Sequence, residues 1–536
     1  MFRSRSKKVQ ALLTQQAQPK KGYFDLERIA LFFQRADKTE SRQVISDNTF
    51  QDLDLDEVFM SMDRTVSLVG QQYLYYTLRT IPRDHSRVTS LEHLSQKLNG
   101  EHKGEALLAL NRLSKRGAYY LQRLIFEDHL TKPKWAWLIP ILSLGATLTF
   151  ILSFFLPGAF LIAVPLMSIN IFIHYWNKNN LLGYSNTIPQ LLTLHQVTTK
   201  LYKWDLVEAP EEVNSALVAL KRVVRSGFFF SWESKVSDEI SQITDIILEL
   251  LKGAFLLEPL LFFNLLKRIE RHRSDVLSLF TAVGRADVAL SLAAWRESLP
   301  YYSQPQFQEQ GKAFEGEAMY HPLIVDAVAN DLSLNNGKSI LLSGSNMSGK
   351  TTFIRTIGIN TLLAQTLNTV CAQRLSLPRL NVYSAIRIAD NLMEDASYYY
   401  EEVQTIKGLV EASDEPQVSL FLLDELFKGT NTVERIASGK AVLSYLHGEN
   451  NLVFCSTHDL ELMEYLAEHY DFYHFAEVIE NEALSFDYTL KAGRLTNTNA
   501  IRILELNQFP NQITEEAQQL AQQLHQQKQR ALKGNG

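Results

Sequence analysis

The residues with the most specific chemical pattern form a phosphate-binding loop. Eight consecutive residues fit the pattern G-x-x-x-x-G-K-[ST], namely Gly344, Ser345, Asn346, Met347, Ser348, Gly349, Lys350 and Thr351. The glycines allow backbone N–H groups to approach a polyphosphate at the start of a helix. The Lys350 ammonium can then reach the β- and γ-phosphate oxygens, and the Thr351 hydroxyl can bind Mg²⁺. The pattern therefore predicts that this loop, with Thr352 directly after it, binds ATP and Mg²⁺.

Two carboxylates and an imidazole follow apolar runs further along the chain. One run ends in Asp424 and Glu425, and the next run is followed by His458. Close to a phosphate-binding loop, one acid can hold Mg²⁺ through its water shell while the next polarises the attacking water. We therefore assign Asp424 to the metal together with Thr351. Glu425, His458 and Lys350 are the predicted catalytic residues, with His458 beside the γ-phosphate as a nucleotide sensor.

These side chains can meet only if a sheet brings the ends of several strands together. Short apolar runs at residues 339–343, 418–423 and 452–455 alternate with helical patterns, of which residues 351–367 are the clearest. Such alternation indicates a parallel sheet with helices on its faces. The carboxyl ends of parallel strands lie at one edge, where α/β proteins bind ligands. The predicted fold is an α/β P-loop NTPase domain at the C-terminus, over residues 303–496.

Length and composition exclude several classes of protein. The 536 residues correspond to about three or four domains, and 46% hydrophobic residues exclude a largely disordered or collagen-like chain. The net charge of −6 gives no overall attraction to nucleic acid, so contact with DNA would need a local basic surface. Two cysteines are too few for a disulfide framework or a cysteine zinc site. This predicts a reducing, cytosolic surrounding for the soluble part.

The strongest break in composition is a charge-free segment, residues 135–176, which divides at Pro157-Gly158. The first arm would be about 33 Å long as a helix and the second about 27 Å, against a hydrocarbon core of about 30 Å. Aromatic residues lie at the outer ends, and lysines flank both ends. We therefore predict a transmembrane helical hairpin that contacts lipid, with two spans and with the ATPase domain in the cytoplasm.

The same segment has two other interpretations, a buried helical hairpin and part of a transporter pathway. A buried helical hairpin in the core of a large soluble domain has the same apolar composition and stays open. A transporter pathway is not favoured, because the two arms carry few polar residues beyond Asn170, His174 and several serines.

Helical periodicity dominates the remaining chain before residue 303. We predict a basic N-terminal arm with a leading helix over residues 1–40, and an all-α core and lever domain over residues 41–134 and 177–302. The arm is either solvated or in contact with anionic lipid or nucleic-acid phosphate. Residues 497–536 are predicted to form a C-terminal helical segment with a loose tail.

The C-terminal part resembles the MutS family of mismatch-repair ATPases, which belong with the dimeric ATPases of ABC type. The segments that carry the likeness are Gly344–Thr351, Asp424-Glu425, Gly429–Thr432 and Thr457-His458. His321 and Pro322 resemble the segment that packs near the adenine. Ser397 resembles the signature serine, which implies that it acts in trans at the γ-phosphate bound by the opposite subunit.

A weaker resemblance extends beyond this part. Asp63–Thr65 with Gly70, and the segment Gly284–Val288, look like the helices that open and close the family's core and lever region. Residues 497–536 look like its C-terminal helix-turn-helix, which implies a homodimer. The resemblance as a whole implies ATP and Mg²⁺ at composite sites, and contact with duplex or branched DNA.

The chain also departs from the family pattern. Ser345 replaces the usual proline, and the residues before Asp63 are too few for the family's mismatch-reading and connector domains. The wedge tripeptide Phe-x-Glu occurs only at residues 307–309 and 475–477, beside or within the ATPase region. We therefore expect a membrane-tethered, DNA-binding dimeric ATPase without direct mismatch insertion. A membrane-anchored, ATP-dependent switch that acts on a protein partner without DNA is the alternative.

Overall fold

The structure is a computed structural model that describes most of the chain. The described residues are 2–127, 134–236, 250–308, 311–334, 337–345, 347–387, 398–448, 451–480, 483–495, 501, 504–505 and 507–533. The chain divides into unit 1, which comprises Met1–Ser41 and Phe59–Ser298, and unit 2, which comprises Arg42–Val58 and Leu299–Gly536.

Unit 1 is helical, as the periodicity predicts. Its α-helices are Phe2–Gln16, Leu26–Arg35, Leu68–Arg79, Ser86–Leu98, Lys103–Leu110, Leu121–Phe126, Leu138–Ser153, Phe160–Ser185, Ile188–Lys203, Pro210–Val236, Leu257–Arg271 and Arg273–Ser298. Short 3₁₀ helices occur at Asn111–Leu113, Arg116–Tyr120 and Pro157–Ala159, and strand β2 is Thr80–Pro82. Strand β1 (Ser41–Val44) and the helix Leu55–Met62 each span a boundary between the units.

Two helices of unit 1 cross closely at glycines that the sequence analysis singled out. A Cβ atom on Gly284 would lie 2.6 Å from the ring of Tyr73, and one on Gly70 would lie 2.5 Å from the Cβ atom of Asp287. These distances are shorter than van der Waals contact, so only glycine fits at this crossing. The two family-like segments, distant in sequence, are therefore packed against each other.

Asp287 is the polar centre of this crossing. Its carboxylate accepts hydrogen bonds from the backbone N–H groups of Val66 (3.0 Å) and Ser67 (2.7 Å), and from the Ser67 hydroxyl (2.5 Å). The Ser67 hydroxyl in turn accepts a bond from the N–H of Gly70, which caps the following helix. Burial nevertheless dominates and raises the pKa of Asp287 to about 6.

The apolar hairpin consists of a first hairpin helix, Leu138–Ser153, and a second hairpin helix, Phe160–Ser185. The first has 16 residues and is shorter than the predicted arm, because it begins only at Leu138 and ends at Ser153. Pro157 disfavours helical backbone in the preceding residue, Leu156, which is extended. The second has 26 residues and continues past the predicted end at Trp176. The rings of Trp135 and Trp176 lie 5.3 Å apart at the open end of the hairpin.

Length and composition would allow two of the described helices to cross a membrane. These are Pro157–Trp176, of which 17% is buried, and Arg273–Ser298, of which 83% is buried. The second is the core helix that carries Gly284 and Asp287, so its apolar residues are covered by protein. Pro157–Trp176 instead leaves most of its apolar side chains exposed.

Unit 2 is an α/β domain, as predicted. Its strands are β3 (Gln306–Gln308), β4 (Phe314–Met319), β5 (Asn330–Leu334), β6 (Ser339–Ser343), β7 (Arg374–Pro378), β8 (Asn381–Ala385), β9 (Ser419–Asp424), β10 (Leu452–Ser456), β11 (Tyr470–His474), β12 (Glu477–Glu480), β13 (Ala483–Phe486) and β14 (Lys491–Ala492). Its helices are Asp47–Asp52, Lys350–Leu367, Tyr398–Ser413, Thr432–His447, Leu462–Tyr465 and Asn511–Lys533.

The main sheet has the order β14-β11-β6-β10-β9-β8, with β11, β6, β10, β9 and β8 parallel and β14 antiparallel at the edge. Strand β10 lies between β6 and β9, with Ser456 in register with both Leu342 and Asp424. The loop after β6 and the acid that ends β9 are thus brought to one edge of the sheet.

Two features of unit 2 were not predicted. A second sheet of order β3-β7-β4-β5 adjoins the start of the domain. Residues 42–58, which the sequence analysis placed in the helical domain over 41–134, belong instead to unit 2. Hydrogen bonds from a side chain to the main sheet explain the difference. The side-chain amide of Gln43 accepts a hydrogen bond from the N–H of Val382 in β8 (2.7 Å) and donates one to its carbonyl oxygen (2.9 Å).

Candidate nucleotide site

The phosphate-binding loop joins strand β6 to the helix Lys350–Leu367, which we call the P-loop helix. Gly344 and Gly349 have φ values of 149° and 106°, which favour glycine. A Cβ atom on Gly344 would also lie 2.8 Å from the carbonyl oxygen of Phe475. The sequence needs both glycines to turn the chain sharply and to present backbone N–H groups at the start of the helix.

Lys350 is held at the centre of this loop. Its Nζ donates hydrogen bonds to the carbonyl oxygens of Gly344 (2.8 Å) and Ser345 (2.9 Å). Burial lowers the pKa of Lys350, and the nearby carboxylates of Glu425 and Asp424 oppose that effect. A partly buried ammonium of this kind is a suitable partner for phosphate oxygens.

A cavity of about 570 Å³ opens beside the loop. The predicted residues that line it are His321, Ser345, Met347, Ser348, Gly349, Lys350, Thr351, Thr352 and Glu425. Among the described residues, the buried hydroxyl oxygens of Ser345 and Ser348 have no hydrogen-bond partner. Buried hydroxyls need partners, and the oxygens of a polyphosphate would supply them. Gly344 and Pro322 adjoin the lining residues in sequence.

Part of the cavity lining is apolar. Ile324, Val328 and Tyr488 line it, together with His321, which is 7% exposed. Burial, with the nearby charge of Arg355, lowers the pKa of His321 to about 4, so its imidazole is neutral at physiological pH. A neutral ring among aliphatic and aromatic side chains can pack against a nucleotide base. Sequence reasoning found His321 but missed Tyr488, whose position depends on the distant C-terminal strands.

Hard oxygen atoms converge where the metal is predicted. The Thr351 hydroxyl donates to a carboxylate oxygen of Asp424 (2.8 Å), and the Ser456 hydroxyl donates to the other oxygen. Mg²⁺ prefers one or two protein oxygens, with waters and phosphate oxygens completing its shell. Within the described residues, no group of three or more acidic, histidine or cysteine side chains is arranged to hold a metal ion by itself. The oxygens present therefore fit Mg²⁺.

Glu425 has a strained backbone and a strongly ionised carboxyl group. Its φ of 57° lies in the left-handed region, which costs a non-glycine residue about 1–3 kcal/mol. One carboxylate oxygen lies 2.7 Å from Nε2 of His458, and the other lies 3.4 Å from Nζ of Lys428. The hydrogen bond with His458 outweighs burial and, with the charge of Lys428, lowers the pKa of Glu425 to about 2.

A buried acid that the sequence analysis did not assign fixes the segment after Glu425. Glu402 is fully buried, and its carboxylate accepts hydrogen bonds from the backbone N–H groups of Phe427 (2.5 Å) and Lys428 (3.3 Å). Phe427 also has a positive φ, of 60°. Glu402 therefore holds a strained turn that aims Glu425. No sequence signal indicated this role, because the contact joins residues that are 25 positions apart.

The P-loop helix is also held by the segment that joins unit 2 from the N-terminal side. Asp54 contacts Arg355 on that helix (2.9 Å) and Arg387 after β8 (2.7 Å). Two residues earlier, Asp52 accepts hydrogen bonds from the N–H groups of Ile386 (3.0 Å) and Arg387 (2.7 Å). These contacts span more than 300 residues of sequence, so no local pattern could have indicated them.

Two predicted site residues, Asn346 and Ser397, lie outside the described residues. The structure brings together Lys350, Thr351 and Asp424 at one sheet edge, with Glu425 and His458 in contact beside them.

The loop, the acids at the strand end and the sheet order define a P-loop nucleotide-binding domain. The profile of MutS domain V matches residues 340–525. The DNA mismatch repair protein MutS of Geobacillus sp. (strain WCH70) is 28% identical over 335 residues, which cover 60% of this chain and 38% of that protein. MutS of Halalkalibacterium halodurans is 27% identical over 324 residues, covering 58% of this chain and 37% of that protein.

The C-terminal part of the chain is therefore similar to MutS domain V, which is a P-loop ATPase domain. The chain spans less than two-fifths of the length of these two curated relatives.

Proposed function

We propose that this chain is a Mg²⁺-dependent ATPase that works as a homodimer. The observation that carries the proposal is the convergence of Lys350, Thr351, Asp424 and Glu425 around one cavity edge. The match of residues 340–525 to MutS domain V, which is a P-loop ATPase domain, supports the same activity.

Each residue has a separate part in hydrolysis. Lys350 neutralises charge at the β- and γ-phosphate oxygens, and Glu425 accepts a hydrogen bond from the attacking water and orients it. A carboxylate with a pKa near 2 acts by orientation more than by removing a proton. Bound Mg²⁺, held by Thr351 and Asp424, would neutralise developing charge on the phosphate oxygens. His458 restrains the Glu425 carboxylate.

A dimer would complete the site. The family resemblance assigns Ser397 to the γ-phosphate bound by the other subunit, so each composite site needs two chains. Residues 497–536 are the proposed dimerisation segment, to which the helix Asn511–Lys533 belongs.

Substitution of Glu425 tests the catalytic assignment. In Glu425→Gln, we expect ATP to remain bound while the turnover rate falls about 100-fold or more, because the amide cannot orient water as a carboxylate does. Phosphate release and nucleotide retention should be measured together. Glu464→Gln, at an exposed acid, is the control and should turn over as the parent does. Unchanged hydrolysis in Glu425→Gln would remove Glu425 from the mechanism.

We also propose that the hairpin tethers the protein to a membrane. Its exposed apolar side chains support this proposal, since an apolar patch of this extent is unusual on a protein in water. They are Trp137, Ile141, Leu144, Leu148, Ile151, Leu152, Phe154, Phe155, Leu156, Phe160, Leu161, Ile162, Val164, Ile169, Phe172, Tyr175 and Trp176.

The partner of the helical unit is either DNA or a protein. The two named relatives are DNA mismatch repair proteins, which favours DNA, whereas the membrane hairpin favours a partner at the membrane. Binding to duplex, mismatched and branched DNA should be measured over a range of salt concentrations. A protein that contacts phosphates must lose affinity as salt rises, because binding releases counterions. Equally weak binding to all three at low salt would reject DNA and leave the protein partner.

A further inference from the structure

The segment Leu250–Glu258 exposes apolar side chains and buries charged ones, which is the reverse of the pattern expected in water. Its exposed side chains are Leu250 (44%), Leu251 (50%) and Leu257 (39%). Its charged residues, Lys252 and Glu258, are only 5% and 7% exposed. Soluble proteins bury leucine and expose lysine and glutamate, so this pattern indicates apolar surroundings outside the segment.

Polar side chains of the hairpin contact the backbone of this segment. Its helix breaks at Leu256, which has a φ of 51°. The Ser143 hydroxyl donates to the carbonyl oxygen of Phe255 (2.6 Å), and the Asn170 amide donates to that of Ala254 (2.8 Å). Carbonyl groups at a helix break need such partners wherever water is excluded. The contacts therefore allow irregular backbone to lie in an apolar phase.

The charged residues of the segment also form ion pairs inside the protein. His174 of the second hairpin helix lies 3.5 Å from the Glu258 carboxylate, which in turn lies 3.8 Å from the Lys252 ammonium. Gly253 permits the close approach, since a Cβ atom there would lie 3.3 Å from the His174 ring. Ionisable groups at membrane depth are tolerated when they face the interior and pair with one another.

We propose that Leu250–Glu258 enters the bilayer beside the hairpin as a re-entrant third element, with its leucines against lipid chains. This proposal rests on the proposed membrane tether and adds a partner surface to it. Asn170 lies six residues from Trp176, so the turn reaches about 9 Å along the hairpin from its aromatic end. It would therefore occupy about the first third of a hydrocarbon core of about 30 Å.

Depth-dependent fluorescence quenching tests this proposal in the full chain. Single cysteines at Phe155, Leu257 and Lys221 would carry an environment-sensitive dye, and the protein would be reconstituted into phosphatidylcholine vesicles with or without tail-brominated lipid. Cys371 and Cys455 are buried, and burial raises the pKa of both thiols, so background labelling should be low. The unsubstituted protein measures that background.

The three positions separate the two proposals. We expect bromines to reduce emission about twofold or more at Phe155→Cys and, when placed near the headgroups, at Leu257→Cys, because both would lie within the hydrocarbon core. Lys221→Cys, on an exposed helix face, should be unaffected. Quenching at 155 but not at 257 would overturn the re-entrant element and keep the tether. Quenching at neither would reject both.

Two further measurements use a variant that removes the Asn170 hydrogen bond and the emission wavelength of the dye at position 257. Asn170→Leu leaves the Ala254 carbonyl without its donor, so quenching of the dye at 257 should decrease while quenching at 155 is retained. If the dye at 257 has blue-shifted emission that bromines do not quench, protein and not lipid covers the leucines, and the proposal is wrong.

Discussion

At the residue scale, two buried or half-buried acids show how environment sets charge. The hydrogen bond with His458 and the charge of Lys428 lower the pKa of Glu425 to about 2, whereas burial raises the pKa of Asp287 to about 6 despite three hydrogen bonds. Burial disfavours the charged form unless a partner compensates for it. The charged carboxylate of Glu425 is therefore suited to orienting water in catalysis, whereas Asp287 has a structural role at the helix crossing.

Asp287 should make the stability of unit 1 depend on pH. Its folded pKa of about 6 lies above the ordinary value of 3.8, so the folded state binds the proton more tightly. The stabilisation is fully present below about pH 4 and is lost as pH rises through 6, by about 3 kcal/mol in total. The free energy of unfolding of the parent, minus that of Asp287→Asn, should decrease over this range.

Tryptophan fluorescence gives a specific measurement, since all six tryptophans lie between residues 135 and 295, within unit 1. Asp205→Asn, which removes an exposed carboxylate, is the control. A difference between the parent and Asp287→Asn that stays constant from pH 4 to 6.5 would show that Asp287 does not titrate in this window.

At the element scale, the crossing at Gly70 and Gly284 brings two segments that are distant in the sequence into contact. Helices can approach this closely only where a side chain is missing. Asp287 between them accepts a hydrogen bond from the Ser67 hydroxyl, which caps the next helix. The crossing thus links the start of the helical domain to its end.

Gly70→Ala should destabilise unit 1 by about 1–3 kcal/mol, because the added methyl group would overlap Asp287 in a packed core. Denaturant unfolding followed by tryptophan fluorescence measures the change. Gly145→Ala is the matched control in the same unit, since a Cβ atom on this helical glycine meets no atom within 4 Å. Equal stability of Gly70→Ala and the parent would contradict close packing at the crossing.

The sequence was sufficient to predict those elements whose pattern lies in consecutive residues. The phosphate-binding loop and the strand that ends in Asp424 could be predicted because consecutive residues carry their chemistry. Asp54 and Tyr488 could not, because each reaches the site through contacts between distant parts of the chain. The first hairpin helix is shorter than predicted, since composition alone does not show where backbone leaves a helix near Pro157.

At the scale of the whole molecule, the chain combines a domain similar to MutS domain V with a helical unit that carries an exposed apolar hairpin. If both proposals hold, ATP turnover in unit 2 takes place on a protein fixed to a membrane through unit 1.

The most direct measurement is phosphate release from γ-labelled ATP by the purified full chain, with Mg²⁺ present or chelated. We expect release with Mg²⁺ and none after chelation. Asp424→Asn should require a higher Mg²⁺ concentration, because it removes the negative charge beside Thr351. A pure, folded parent protein that neither binds nor hydrolyses ATP at any Mg²⁺ concentration would contradict the account.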